Sequence, residues 1–96
     1  MLTNTQKKYL NKQANPIKPI YQIGKEGISQ NLITGISEAL EVHELIKVKL
    51  LETCPVDTNE AVIVISAGCK CEVVNVIGRT IILYRKSKKK IYHLPK

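Results

Sequence analysis

Two glycines three residues apart, Gly24 and Gly27, bracket Lys25 and Glu26 where a short apolar run gives way to a helical pattern. Residues of these types at this spacing suit the binding of an anion. Glycine lets a ligand backbone approach without obstruction by a Cβ, and a following helix offers unpaired N–H groups and the positive end of its dipole to a phosphate. Lys25 adds a point charge, whereas Glu26 repels a phosphate unless it turns outward. The backbone is therefore expected to make the contact, much as the Gly-x-x-Gly loop of KH domains clamps a nucleic-acid backbone. The same four residues also suit an ordinary strand-to-helix turn.

The net charge of +7 is laid out unevenly. Residues 1–25 hold five lysines and no acid, residues 26–72 hold all eight acids against three lysines, and residues 73–96 hold seven basic residues and no acid. Segregation of this kind suggests a polarised surface facing a polyanion. Lys7, Lys8, Lys12, Lys18, Lys47, Lys49, Arg79, Arg85, Lys86 and Lys88 to Lys90 are the candidates for phosphate contact, although any one of them also suits a solvated surface. With four Tyr, no Phe and no Trp, and no RNP-type motif, an aromatic base-stacking platform is not expected. Recognition would lean on backbone and shape.

Other chemistries have little to stand on. His43 and His93 lack an evident Ser or Cys partner, and neither a Walker A loop nor a dinucleotide fingerprint is present. His43 suits the C-terminus of a helix, where positive charge is welcome. Cys54, Cys69 and Cys71 are odd in number and form no Cys-x-x-Cys pair, which argues for a reducing compartment over a disulfide framework. Cys69-x-Cys71 with either histidine fits no usual zinc spacing. No metal, cofactor or small-molecule substrate is expected. No apolar run approaches the roughly 20 residues of a membrane span, and no apolar block follows Met1, so the expectation is a cytoplasmic protein.

The elements that must position these residues follow from spacing. Thr3 or Thr5 caps a first helix to about Ala14, in which Leu2, Gln6, Tyr9, Leu10 and Ala14 form a thin stripe. Pro16 and Pro19 bar its continuation, and Ile20 to Ile23 make a brief strand. Ser29 caps an amphipathic helix over about 29–42, with Gly35 inside it as a mark of close packing. Leu45 to Leu50 alternates, setting Ile46, Val48 and Leu50 on a buried face and Lys47 and Lys49 on a basic one. Asp57 opens a run to about Cys71 whose cap favours helix, although its β-branched centre also suits strand. Val73 to Ile77 and Thr80 to Tyr84 flank Gly78-Arg79 as a type II′ hairpin. That register pairs Ile77 with Thr80, Val76 with Ile81 and Val74 with Leu83. Asn75, Thr80, Ile82 and Tyr84 then share a mixed face that suits nucleotide contact or water, and residues 91–95 read as an extended tail. The order predicts one α/β (mixed α+β) domain over 1–96, α-β-α-β-α-β-β, with a four-stranded mixed sheet.

Four segments in this order resemble the CRM-domain family of chloroplast RNA splicing and ribosome maturation, in particular its short bacterial YhbY-like members. They are Asn15-Pro16-Ile17-Lys18-Pro19, Ile23-Gly24-Lys25-Glu26-Gly27-Ile28, His43-Glu44-Leu45-Ile46-Lys47-Val48-Lys49, and Val76-Ile77-Gly78-Arg79-Thr80-Ile81-Ile82-Leu83-Tyr84-Arg85. The resemblance spans nearly the whole chain. It implies a non-enzymatic RNA-binding domain with a fold like the C-terminal domain of translation initiation factor three, acting on precursor ribosomal RNA in large-subunit assembly. Gly24 to Gly27 would then be the RNA-contacting loop, supported by the basic residues of the first helix. Ile28 stands where leucine is common and Glu26 where the family varies. An adaptor docking on ribosomal proteins is the alternative reading, and a small enzyme using a cysteine or histidine is a third.

Overall fold

The computed structural model describes residues 2–89 and 91–95. Three capping side chains start its helices. Thr3 Oγ1 accepts from the Gln6 N–H at 3.1 Å while Gln6 Oε1 accepts from the Thr3 N–H at 3.0 Å, a reciprocal pair that opens α1 (Asn4–Ala14). Ser29 accepts from the Leu32 N–H and opens α2 (Gln30–His43), and Asp57 accepts from the Glu60 N–H at 2.8 Å and opens α3 (Thr58–Cys69). The segment after Asp57 is thus helix and not strand, burying Ala61, Ile65 and Cys69 at four-residue spacing. It ends two residues earlier than expected, because Lys70 adopts the left-handed conformation at φ 52°.

The strands are β1 (Tyr21–Ile23), β2 (Leu45–Leu50), β3 (Glu72–Ile77) and β4 (Thr80–Tyr84), joined in the order β1-β2-β4-β3. β1 and β2 run parallel across the α2 crossover, and β4 is antiparallel to both its neighbours. The predicted mixed sheet of four strands is therefore found. At the hairpin, φ is positive at Gly78 and not at Arg79, the sign pattern of a type II′ turn.

Both faces of the sheet are covered. Ile46, Val48 and Leu50 of β2 join Ile81 and Leu83 of β4 beneath Ile33, Ile36 and Leu40 of α2 and Ile65 of α3. On the other face, Leu45, Val74, Ile82 and Tyr84 are buried by Leu10 and Ala14 of α1, with Tyr92 and Leu94 packed at the margin. The face predicted to be mixed and wet is accordingly corrected. Ile82 and Tyr84 are 1% and 5% exposed, because α1 and the tail fold back over them.

The hairpin register is corrected as well. Ile77 pairs with Thr80 and Val76 with Ile81 as expected, but Leu83 faces Val73 and not Val74, across a bulge between Val73 and Asn75. The extra residue lets Val74 enter the α1 core while Asn75 donates to Asn11 of α1 at 3.2 Å. Asn75 Oδ1 also accepts from the Val76 N–H at 2.8 Å, which occupies a donor of the edge strand.

Helices α2 and α3 approach closely at Gly68, where a Cβ would lie 2.9 Å from Ile33 Cγ2. Gly35 also sits in a tight place, where a Cβ would lie 2.6 Å from the Tyr21 Oη, but that atom ends a half-buried side chain that can swing aside. Gly68→Ala should therefore lower stability by about 1–2 kcal/mol through overpacking against a stiff branched neighbour. Gly35→Ala should be nearly neutral, since the gain in helix propensity offsets the displacement of Tyr21. Urea denaturation of the two variants checks the order.

Candidate functional site

The carboxyl ends of β1, β2 and β3 lie at one end of the sheet, and three loops meet there. In the first, the Gly27 N–H donates to the Gly24 carbonyl at 3.0 Å, closing a turn with Lys25 and Glu26 exposed at its tip. Only Gly27 has positive φ, at 69°, and a Cβ on it would come 3.2 Å from Pro55 Cγ. A Cβ on Gly24 would meet Thr53 Oγ1 at 3.5 Å, an ordinary contact. The two glycines thus differ: the turn itself needs Gly27, and Gly24 leaves room that the fold does not require.

The second loop follows β2 and the third is the hairpin turn. The Leu51 N–H donates to the Ile23 carbonyl at 2.9 Å, the Leu50 N–H donates to the Arg79 carbonyl at 2.8 Å, and the Arg79 guanidinium donates to the Leu51 carbonyl at 3.3 Å. These bonds fasten Arg79 beside the loop that carries Lys25. The start of α2 faces the same end, where the N–H groups of Gln30 and Asn31 have no intrahelical partner. The end is not uniformly basic, since a cleft of about 350 Å³ beside it is lined by Glu52 and Asp57 as well as Arg79.

The remaining predicted residues are distributed over the α1 side of the sheet and its far end. Lys49 is exposed between Gln22 of β1 and Thr80 of β4, and Lys47 is half-buried opposite Ile82. Lys8 and Lys12 stand four residues apart, exposed on α1, and Lys7 is half-buried. Lys18 is exposed two residues before Ile20, whose N–H donates to the Lys47 carbonyl at 3.0 Å. Lys86, Lys88 and Lys89 are exposed at the far end, and Lys90 lies outside the described residues. Arg85 is engaged otherwise. Its guanidinium donates to Ser37 Oγ, the Ser37 carbonyl and the Cys69 carbonyl at 2.9, 2.7 and 2.8 Å and lies 3.6 Å from Glu41, tying α2 and α3 to the end of β4.

Sequence reasoning missed Glu44. Its carboxylate is fully buried and accepts from Ser87 Oγ and the Ile91 N–H at 2.8 Å each and from the Tyr92 N–H at 3.2 Å. Ser87, Ile91 and Tyr92 are thereby pinned to the body of the fold as a strap. Burial opposes the charge of Glu44, but the bonds from Ile91, Ser87 and Tyr92 outweigh it and hold the carboxyl below its ordinary range. Burial, and then the Glu44 carboxylate, push the Tyr84 phenol up. The signal available in the sequence was an acid directly after a helix C-terminus, where the helix dipole disfavours one.

Cys69 and Cys71 offer little nucleophilicity. Burial pushes the Cys71 thiol up to about 12 and raises Cys69 against the pull of Arg85, while Cys69 Sγ donates to the Ile33 carbonyl at 3.4 Å. Among the described residues no His, Cys, Asp and Glu side chains gather in a group of three suited to a metal. No helix there is long and apolar enough to cross a membrane.

The family model of the CRS1 / YhbY (CRM) domain matches residues 2–85. The chain is 44% identical over 88 residues to the "Probable RNA-binding protein YqeI" of Bacillus subtilis, covering 92% of each chain. It is 32% identical over 98 residues to a protein of Haemophilus influenzae named "RNA-binding protein", covering 99% of this chain and 96% of that one. Among solved structures, a hypothetical protein of Staphylococcus aureus superposes with a TM-score of 0.82 at 46% identity, over 99% of this chain and 100% of the other.

Proposed function

The chain belongs to the CRS1 / YhbY (CRM) domain family, and from that premise we propose that it is a non-enzymatic RNA-binding protein acting on precursor ribosomal RNA during large-subunit assembly. The relatives named for RNA binding support the ligand class. One structural observation carries the site: the turn of Gly24 to Gly27 is fastened beside Arg79 at an end of the sheet where Lys25 and Lys49 are exposed. From there the basic surface continues through Lys47 toward Lys8, Lys12 and Lys18. Backbone N–H groups near the turn hold a phosphate, Lys25 adds charge, and the lysines of the α1 side follow the strand. Arg85 is left out of this set, because its donors already serve the fold.

Binding to structured ribosomal RNA fragments is expected to weaken steeply between about 50 and 200 mM salt, and Lys25→Ala to lower the slope of log affinity against log salt by about one. A titration series at four salt concentrations reads both. Salt-independent binding would remove phosphate contact from the account, and ultraviolet crosslinking with mapping of the bound RNA tests the ribosomal target.

A protein partner is the second reading, favoured by Ile63 and Val64, 67% and 41% exposed, which stand with Ala67 on one stripe of α3 away from the basic surface. Protein crosslinks that persist after nuclease treatment would support it.

A further inference from the structure

At the opposite end of the sheet from the glycine turn, four segments, the start of β2 among them, line an open pocket of about 450 Å³. Ile17, Lys18 and Ile20 come from the stretch between α1 and β1, His43 from the end of α2, and Ile91 and Tyr92 from the strap that Glu44 holds. The lining is more apolar than polar, and its volume falls within the range of about 300–1,000 Å³ usual for small-ligand pockets. Ile20 and Ile91 are 43% and 45% exposed, although burying them elsewhere in the fold would be favourable. The pocket also opens in the basic part of the chain. Residues 1–25 and 73–96, which supply two of those four segments, contain no acid. The nearby Glu44 is buried and already accepts from three donors.

We infer that this pocket takes one unpaired nucleobase of the bound RNA, held between the isoleucines and Tyr92, with the adjoining phosphate on Lys18. An unstacked base is the group that matches these walls. It is flat and apolar on its faces, sits on an anionic backbone, and gains by contact with an aromatic or aliphatic surface. An apolar side chain of a protein would fill the same space, but an exposed Lys18 beside a Glu44 that is buried and already bonded favours a polyanion over an ordinary mixed-charge partner. The inference rests on the RNA-binding reading and extends it. The six residues of β2 separate the pocket from the glycine turn by roughly 20 Å, so a strand bound at both would cross the face that carries Lys47 and Lys49. The two anchors would make selectivity depend on an unpaired nucleotide at a set distance from the backbone clamp.

The test uses an RNA hairpin with a six-nucleotide single-stranded overhang, and the same hairpin with stable abasic residues throughout the overhang. The full chain should bind the first about tenfold more tightly, the effect of one stacked base. Ile20→Ser and Tyr92→Leu should erase that difference by weakening only the base-containing RNA, while Lys25→Ala weakens both RNAs alike. Circular dichroism melts identify any variant that has lost its fold, and because Ile20 is partly exposed, Ile20→Ser keeps the test open if Tyr92→Leu loosens the strap. Equal affinity of the parent for the two hairpins, or equal losses on both from the pocket variants, overturns the base pocket and leaves RNA binding standing. Failure of the parent to bind either RNA instead overturns the RNA-binding reading on which the inference rests.

Discussion

Glu44→Ala is expected to lower the stability of the protein by about 3 kcal/mol, the largest effect of any single substitution considered. The carboxylate accepts from Ser87 Oγ and from the N–H groups of Ile91 and Tyr92. Its removal leaves several donors of a buried region without an acceptor, and each hydrogen bond to a charged group is worth about 1.5–3 kcal/mol. Not all of that loss is realised, because the strap can detach and let water reach the freed groups. For a glycine at this position, and not for an alanine, the backbone adds a smaller effect of opposite sign. At φ 63° and ψ −44° it lies in a region that costs a non-glycine residue energy. Glu44→Gly should consequently be less damaging than Glu44→Ala, although it loses the same carboxylate.

The pH dependence gives a second readout of the same group. The Glu44 carboxyl titrates below its ordinary value of 4.5 in the folded protein. Its contribution is present in full above the unfolded value and is lost as pH falls through the lowered folded one. The stability difference between the parent and Glu44→Ala should therefore be constant near neutrality and shrink below about pH 4.5. Urea unfolding at pH 7 and at pH 3.5, followed by circular dichroism, measures it. A difference that does not shrink in acid would mean that the strap is held by something other than the charge of Glu44.

The second large effect concerns binding. Gly24→Val should reduce RNA affinity by about tenfold, the loss of one charge-assisted contact between backbone and phosphate, while leaving the unfolding midpoint little changed. Room exists for a Cβ at this position, 3.5 Å from Thr53 Oγ1, and φ there is not positive. Gly24→Ala should lie between the parent and Gly24→Val. Gly27 gives a less clean test, because its φ of 69° and the nearness of Pro55 make any side chain cost stability as well. If backbone approach governs the contact, Lys25→Ala should lose less affinity than Gly24→Val. The reverse order would assign the contact to the lysine charge.

These glycines mark what could be read in advance and what could not. The Gly-x-x-Gly spacing identified a turn between strand and helix, and Thr3, Ser29 and Asp57 located three helix starts, because caps and turns are local in sequence. Which glycine the turn needs is set by the backbone, whose φ is positive at Gly27 and not at Gly24, and the further crowding of Gly27 by Pro55, 28 residues on, has no local pattern to report it. The bulge at Val73 to Asn75 was hidden for a similar reason. Consecutive valines satisfy either register, and it is Asn11 on α1 that receives the Asn75 amide. Arg85 and Glu44 are the clearest cases. Arg85 looked like one member of a basic run and Glu44 drew no reading of its own, and both acquire partners from segments remote in the chain. The candidate site was legible as a set of residue types, but its arrangement at two ends of the sheet required the strand order.

Helix α1 is made first, and the partners that fasten it come late in the chain. The Asn11 and Asn75 side chains that fasten it are 64 residues apart, and the Gln6 side chain donates to the Pro95 carbonyl 89 residues away. At a synthesis rate of about 5–20 residues per second, the helix emerges on the order of five to twenty seconds before its last partner. Closing such long loops also slows spontaneous folding. The lysines carried by α1 thus reach their final positions over the sheet only when β3 and β4, which supply Val74, Ile82 and Tyr84 beneath it, have been made.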